Sequence, residues 1–192
     1  MAQIGLKHLY IAKINHSLDS DEADPTYIAS SGKKIGNIIS ADLTWNSGNV
    51  KLHGDNRLVL MDNGANGGNL KIETTYIPED EIPVLMGYSE ETNGSLYKVD
   101  EPTDTVGCGY ITKEIDEYGT VTYWLNWFYK VQFSMNNQSF RTREDGTAYG
   151  VPTIEAEIFK CYNGFGYVEP YTSESTALTA LQTQACYSPS GS

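Results

Sequence analysis

Thr120-Val-Thr-Tyr-Trp-Leu-Asn-Trp-Phe-Tyr-Lys-Val-Gln-Phe133 is the stretch from which the fold is read. From Val121 to Phe133 every odd position (Val121, Tyr123, Leu125, Trp127, Tyr129, Val131, Phe133) is apolar or aromatic. Successive side chains on a strand point to opposite faces, so the pattern predicts one long strand with a fully apolar face. The even positions, Thr122, Trp124, Asn126, Phe128, Lys130 and Gln132, make a mixed face. A strand with one core face and one half-apolar face belongs to a sheet that meets something on both sides, either a ligand or another copy of the chain.

Outward from this strand the chain reads as further β structure. Leu6 to Ile14 predicts a strand with Leu6, Tyr10, Ala12 and Ile14 on one face, and Ile35 to Trp45 a second with Ile39, Ala41, Leu43 and Trp45 sharing a face. Leu70 to Ile77 and Val106 to Ile115 follow, the latter turning into the long strand through Glu117-Tyr118-Gly119. Asp145-Gly146 predicts a hairpin between Ser139–Arg143 and Thr147–Lys160. In its second arm Ile154, Ala156 and Ile158 face one side, and Pro152 suggests an edge or a bulge. Asn15 to Gly32 is a polar, acidic loop. Pro78-Glu-Asp-Glu81 with Ile82, Leu85 and Met86 predicts one short helix ending at Gly87.

Asn46 to Asn69 is punctuated by glycines and reads as a long loop, yet its centre is the apolar row Leu58, Val59, Leu60, Met61. Long loops in compact domains usually carry function, and an apolar centre needs a surface to pack on. After Gly164 the composition shifts to Ser and Thr with no Lys or Arg, and Ala177 to Ala185 fits a short helix. The expected organisation is a β domain over 1–163 and a C-terminal extension over 164–192.

The 192 residues suit one domain that buries roughly 70% of the surface its unfolded chain exposes. The net charge of -12 excludes a protein that grips duplex phosphates through its overall charge. An acidic protein can still surround DNA without holding it. Cys108, Cys161 and Cys186 are odd in number and widely spaced, which predicts reduced thiols rather than a disulfide framework or a zinc site. Lys7, His8 and Lys13 interrupt the N-terminal apolar run, and no stretch approaches the roughly 18 apolar residues of a membrane span. The expectation is a soluble chain made in a cytoplasm.

Reactive constellations are scarce. His8, His16 and His53 stand in no metal-ligand spacing, and no P-loop, G-x-S-x-G or H-E-x-x-H occurs. The acidic run Asp19 to Asp24 lacks the glycine and terminal glutamate of a calcium loop. Glu155 and Glu157 share a strand face opposite Ile154, Ala156 and Ile158. Two carboxylates so placed can be a glycosidase pair, a wet face, or a wall that must stay negative. Trp124, Phe128 and nearby tyrosines offer either a sugar-stacking platform or a subunit contact.

The order of several segments resembles the major tail proteins, the tail tube proteins, of long non-contractile phage tails. The segments are Ile4-Gly-Leu-Lys-His-Leu-Tyr-Ile-Ala-Lys-Ile14, then Ile35-Gly-Asn-Ile-Ile-Ser-Ala-Asp-Leu43 with its glycine-rich loop, then the step ending Leu85-Met-Gly87. Trp127-Phe-Tyr-Lys-Val-Gln-Phe-Ser134 and Val151-Pro-Thr-Ile-Glu-Ala-Glu-Ile158 carry the best match. The resemblance spans roughly residues 4 to 160 and does not include the segment after Gly164. It implies a β-sandwich or barrel-like fold, mainly β, with one short helix and a long loop between early strands. It implies no catalysis and no cofactor: a structural virion protein, assembled in the bacterial host cytoplasm, whose hexameric rings stack into a tube for genome ejection. The implied partners are further copies of itself, the tape-measure, tail terminator and baseplate or tip proteins, and viral DNA that passes without specific binding.

On that reading Lys51, Asp55, Arg57, Leu58, Val59, Leu60 and Met61 are the expected inter-subunit or inter-ring contacts. Glu155 and Glu157 are candidates for the lumen or a polar sheet face, and Trp124 and Phe128 for a sheet contact face. The alternative reading is a carbohydrate-binding β-sandwich module using Trp124 and Phe128.

Overall fold

The long strand forms where its pattern places it, but its two faces change roles partway along. In the computed structural model, which describes residues 2–18, 23–47, 50–54, 57–62, 65–78, 85, 88–91, 94–97, 103–134 and 152–188, the strand runs Val121–Ser134. Against its neighbour Thr105–Ile115, Phe128 pairs with Cys108 and Val131 with Val106, so the long strand carries one extra residue between them. Such a bulge reverses the parity of everything beyond it. Leu125 and Trp127 face one layer, whereas Val131 and Phe133 join Phe128 in the other. The single apolar face expected from the odd positions is therefore split between two cores.

In chain order the described strands are β1 (Ala2–Lys13), β2 (Lys33–Lys34), β3 (Ile38–Ser47), β4 (Val50–Gly54), β5 (Arg57–Asp62), β6 (Ala65–Thr74), β7 (Tyr88–Glu91), β8 (Gly94–Tyr97), β9 (Thr105–Ile115), β10 (Val121–Ser134), β11 (Thr153–Ile158) and β12 (Gly166–Tyr171). An α-helix, α1, spans Glu174–Gln184. The fold is mainly β. An eight-stranded antiparallel sheet follows the order β2-β1-β9-β10-β11-β6-β3, with β12 also paired to β10. Beyond the bulge β10 pairs with β11, and before it with β12, so the sheet forks there. The sheet curls around its inner face without closing.

That inner face is the main core. Leu9, Ile11, Ile35, Leu70, Ile72, Leu85, Val131, Phe133 and Ile154 are among its buried members. Of the expected alternation Leu70, Ile72, Thr74 and Tyr76, the first three face inward, whereas the strand ends at Thr74 and Tyr76 is 55% exposed; Ile154, Ala156 and Ile158 alternate inward as expected. Each such large apolar side chain contributes roughly 1.5–3 kcal/mol on full burial.

A second bulge corrects the reading of β1. Lys7 pairs with Ile111 and Tyr10 with Gly109, leaving an extra residue in β1 around His8, whose φ is 59. Leu6, Leu9 and Ile11 consequently belong to the main core, while Tyr10 and Ala12 turn to the other layer. Period-2 reasoning placed Leu6 with Tyr10 because it counts no inserted residue. Pro152 is also corrected. β11 lies between β10 and β6, not at an edge, and Pro152 precedes its first residue, its carbonyl accepting from Thr74 N–H at 3.1 Å.

The second layer is built by the C-terminal segment. Ser173 caps α1 by accepting from Thr176 N–H at 3.2 Å, and Glu174 stands in the acid-favouring first turn. Ala177, Leu181 and the following Ala185 are buried against Tyr10, Ile111, Leu125 and Trp127. Residues 166–185 thus supply a strand of the sheet and its covering layer. The helix foreseen over Ala177–Ala185 is present, beginning three residues earlier. Of the short helix foreseen near 80–87, Leu85 is helical and fully buried, and the remainder from Glu79 lies outside the described residues. The Asp145-Gly146 turn lies outside them too.

Candidate assembly surface

Gly36 decides where the sheet stays open. Lys33 and Lys34 pair with β1, and Ile35 N–H still donates to Leu9 O at 2.9 Å. At Gly36 the chain turns with φ 35, a conformation that favours glycine, and an added Cβ would collide with Tyr76 O and Thr74 Oγ1. From Ile38 onward the same chain pairs with β6 instead. β3 therefore runs antiparallel to β1 while leaving it, and among the described residues no ladder joins the two. The result, among the described residues, is a seam between two strand edges that have no ladder partner there: β3 along its length, and β1 over its N-terminal half.

The seam is apolar inside. Leu43 and Trp45 stand on the core side, opposite Leu70 and Gly68 of β6. Leu70 is fully buried, yet Leu43 is 38% and Trp45 44% exposed. Trp45 lies on Gly68 and tilts against Phe165, ring centroids 5.1 Å apart. Ile39, the extra residue of a bulge in β3, is 48% exposed, and Ile4 of β1 is 51% exposed. The expectation that Ile39, Ala41, Leu43 and Trp45 share a face is met only by the last three. Among the described residues no strand pairs with the outer edge of β3 to complete their burial.

The opposite face of β3, β6 and β11 is polar. Asp42 pairs across from Lys71, and Lys71 from Glu155; Ser40 donates to Glu73 at 2.9 Å. Glu155 sits 3.6 Å from Lys71 Nζ, and Glu157 stands between Asn69 and Gln132 with no core contact. Four carboxylates thus share this sheet face with Lys71, and the two glutamates singled out in the sequence lie on it as a polar face.

The remaining candidate residues fall elsewhere. Lys51 is on β4 and Arg57, Leu58, Val59, Leu60 and Met61 are on β5, so the expected loop contains an antiparallel hairpin, with Leu52 opposite Leu60 and Lys51 opposite Met61. Asp55 lies outside the described residues. This hairpin forms a sheet of its own and pairs with no other described strand. Phe128 does not offer a contact face: it is buried in the main core beside Tyr110, ring centroids 6.2 Å apart. Trp124 is half-buried, its indole N–H donating to Glu114 Oε2 at 2.8 Å. Leu43 and Trp45, which form the seam, were legible only as core positions, because alternation reports a face and not whether that face is covered.

The clustered polar groups elsewhere are structural ties. Glu174 joins Lys7 Nζ at 2.9 Å and His8 Nε2 at 3.0 Å, fastening the start of α1 to the bulge of β1. The hydrogen bond from Lys7, then that from His8, holds the Glu174 carboxyl below its ordinary value. Asp24 accepts from Asn163 N and Nδ2 at 2.9 and 2.8 Å. Cys108 is wholly buried, which pushes its thiol up to about 12 and leaves it a core residue rather than a nucleophile. Among the described residues no three His, Cys, Asp or Glu side chains gather as a metal site, and no helix is long and apolar enough to cross a membrane. No protein-family model matches the sequence, and no curated protein matches it.

Proposed function

We propose that this protein is a structural subunit that assembles with copies of itself, as a phage tail tube protein does, into stacked rings enclosing a conduit for DNA. The observation that carries the reading is the apolar seam between two strand edges that are unpaired among the described residues. A long open edge with exposed Leu43 and Trp45 is a hazard on a solitary protein and a contact on a subunit. The sequence resemblance supports the same reading independently. The acidic sheet face of Asp42, Glu73, Glu155 and Glu157 suits a lumen wall, since like charge keeps phosphate mobile along a bore. Tape-measure, terminator and tip proteins are the partners the reading brings with it.

The carbohydrate-binding alternative is weakened by the burial of Phe128, which removes one of its proposed stacking rings. Negative-stain electron microscopy of the purified protein at high concentration tests the proposal. Rings or tubes with a central hole are expected. A persistently monomeric field together with a hit on a glycan array would replace assembly with sugar binding.

A further inference from the structure

The geometry points to Asn163-Gly164 as a site of spontaneous covalent modification, deamidation through a succinimide, and to Asp24 as the residue that holds the site shut in the folded chain. The site does not depend on the assembly reading.

The fold itself dictates this dipeptide. The chain reverses between Cys161 and Gly164, where Cys161 N–H donates to Gly164 O at 2.7 Å and Gly164 N–H to Cys161 O at 3.2 Å. Gly164 has φ 123, a conformation that residues with a side chain rarely adopt, although an added Cβ would meet no atom within 4 Å. Its backbone, not crowding, therefore demands glycine. Asn163 answers a different need. Its backbone N–H donates to Asp24 Oδ1 at 2.9 Å and its side-chain Nδ2 to Asp24 Oδ2 at 2.8 Å, so one carboxylate holds both donors. Asp24 stands on an anchored segment: Pro25 is buried, Thr26 O accepts from Asn15 N–H at 2.8 Å, and the Tyr27 ring meets Trp127 edge-on with centroids 5.3 Å apart. Turn and tie together place an asparagine, a thermolabile residue, directly before a glycine.

In the reaction the Gly164 nitrogen attacks Asn163 Cγ and gives up its proton, the Cγ–Nδ2 bond breaks, and ammonia leaves with that proton. Water then opens the succinimide at either carbonyl, giving aspartate or isoaspartate. Glycine has no Cβ to obstruct the attack, and Asn163 is exposed to the water that completes it. Two contacts oppose the first step. Asp24 fixes the carboxamide against rotation toward the following nitrogen, through hydrogen bonds of the stronger, charge-assisted kind, and the Gly164 N–H is engaged with Cys161 O. The product cannot rebuild the tie. Where Nδ2 donated, a second carboxylate would face Asp24, and like charges at hydrogen-bond distance repel. Isoaspartate also adds a methylene to the main chain inside the turn. Conversion is therefore one-way: it frees the 161–164 turn from Asp24 and loosens the entry into β12.

Full-length wild type and Asp24→Ala, incubated side by side in warm, mildly alkaline buffer, test this. Circular dichroism first establishes that the variant folds. Peptide mass mapping then follows the amide-to-acid mass gain at residue 163, and fragmentation separates aspartate from isoaspartate. The folded variant is expected to convert about tenfold faster or more, the factor that one hydrogen bond to a charged group is worth. In urea both proteins should convert at the same rate, because the guard exists only in the fold. Asn63-Gly64, Asn66-Gly67 and Asn93-Gly94 serve as clocks within the same chain and should run equally in both proteins. Equal rates at Asn163 in the two folded proteins, or a wild type that converts as fast folded as unfolded, overturns the guard, as does an acceleration shared by every Asn-Gly pair. Should Asp24→Ala fail to fold, Asp24→Asn replaces it, with a smaller acceleration expected and the same overturning results. Melting curves give a second readout. Asn163→Asp, the hydrolysed form, should melt below wild type, and combining it with Asp24→Asn, which again sets an amide against a carboxylate, should raise the melting temperature. A double variant that melts no higher than Asn163→Asp removes the tie on which the guard depends.

Discussion

The layer under α1 and the seam beside β3 are both apolar surfaces of one sheet, and the chain treats them oppositely. Over Tyr10, Ile111, Leu125 and Trp127 it places its own helix, fastened by Glu174 to Lys7 and His8 and by the Gln182 amide to the Tyr10 hydroxyl at 3.0 Å. Over Leu43 and Trp45 no described element lies close enough to bury them. A surface that a chain can cover within itself serves folding. A surface built to the same pattern but left half exposed is, on the proposed reading, the one that serves association. The contrast predicts that mutations under the helix cost stability and mutations in the seam cost assembly.

The sharpest test is at Trp127. It is fully buried, seated where β9 carries Gly107 and Gly109, and its indole N–H donates to the Tyr27 hydroxyl at 2.9 Å, which in turn donates to Tyr129 O at 2.8 Å. A Cβ at Gly109 would run into the Trp127 ring and Leu181 Cδ1. Trp127→Ala is expected to destabilise by about 3–5 kcal/mol in urea titrations, the usual cost of emptying a large aromatic site. A loss under about 1 kcal/mol would mean that this layer is not a true core.

Leu181→Ala comes next, at about 2–5 kcal/mol, with exposed apolar surface detected by dye binding. It should leave the assembly surfaces intact, so that whatever protein remains folded still assembles. In the seam the order reverses. Leu43→Ala is expected to change monomer stability by no more than about 1 kcal/mol, because the side chain is already partly exposed, while assembly followed by light scattering falls sharply. If Leu43→Ala unfolds the protein as Leu181→Ala does, the distinction between the two regions collapses.

How much of this was legible beforehand follows from what periodicity can carry. Ile154, Ala156 and Ile158, and Leu70, Ile72 and Thr74, were placed correctly because nothing interrupts the alternation of β11 and β6 over those residues. Tyr10 and Val131 were not, because a bulge inserts one residue and reverses every face beyond it, and a bulge in β10 or β1 has no composition that marks it. The hairpin within 46–69 was hidden because Leu58 to Met61 do not alternate and the surrounding glycines read as a loop. Strand β12 was missed because Glu169 and Pro170 argue locally against a strand, whereas its pairing with Trp124 to Phe128 overrides them. The candidate seam was the least legible of all. Its residues read as core, and only the bend at Gly36 separates β3 from the strand that would have covered them.

The smallest expected effect concerns the tie that holds the covering helix in place. Glu174 is held below the ordinary carboxylate range by Lys7 and His8, so its bound state favours the ionised form. A carboxyl with a depressed folded-state value contributes stability that is complete above the ordinary range and is lost as pH falls through the lowered value. Lys7 has the opposite sign: its value is raised, chiefly by the hydrogen bond to Glu174, so its share is present below the ordinary lysine value and lost above it. The stability difference between wild type and Glu174→Gln should therefore form a plateau from weakly acidic to weakly alkaline pH and decline at both ends. Because the pair is partly exposed, the plateau should not exceed about 1 kcal/mol and should shrink with added salt. The tie reaches β1 but not the apolar residues Leu43 and Trp45 of β3, so assembly should not follow this profile. An assembly yield that tracked the Glu174 titration would show that the covered layer and the open seam are coupled through β1.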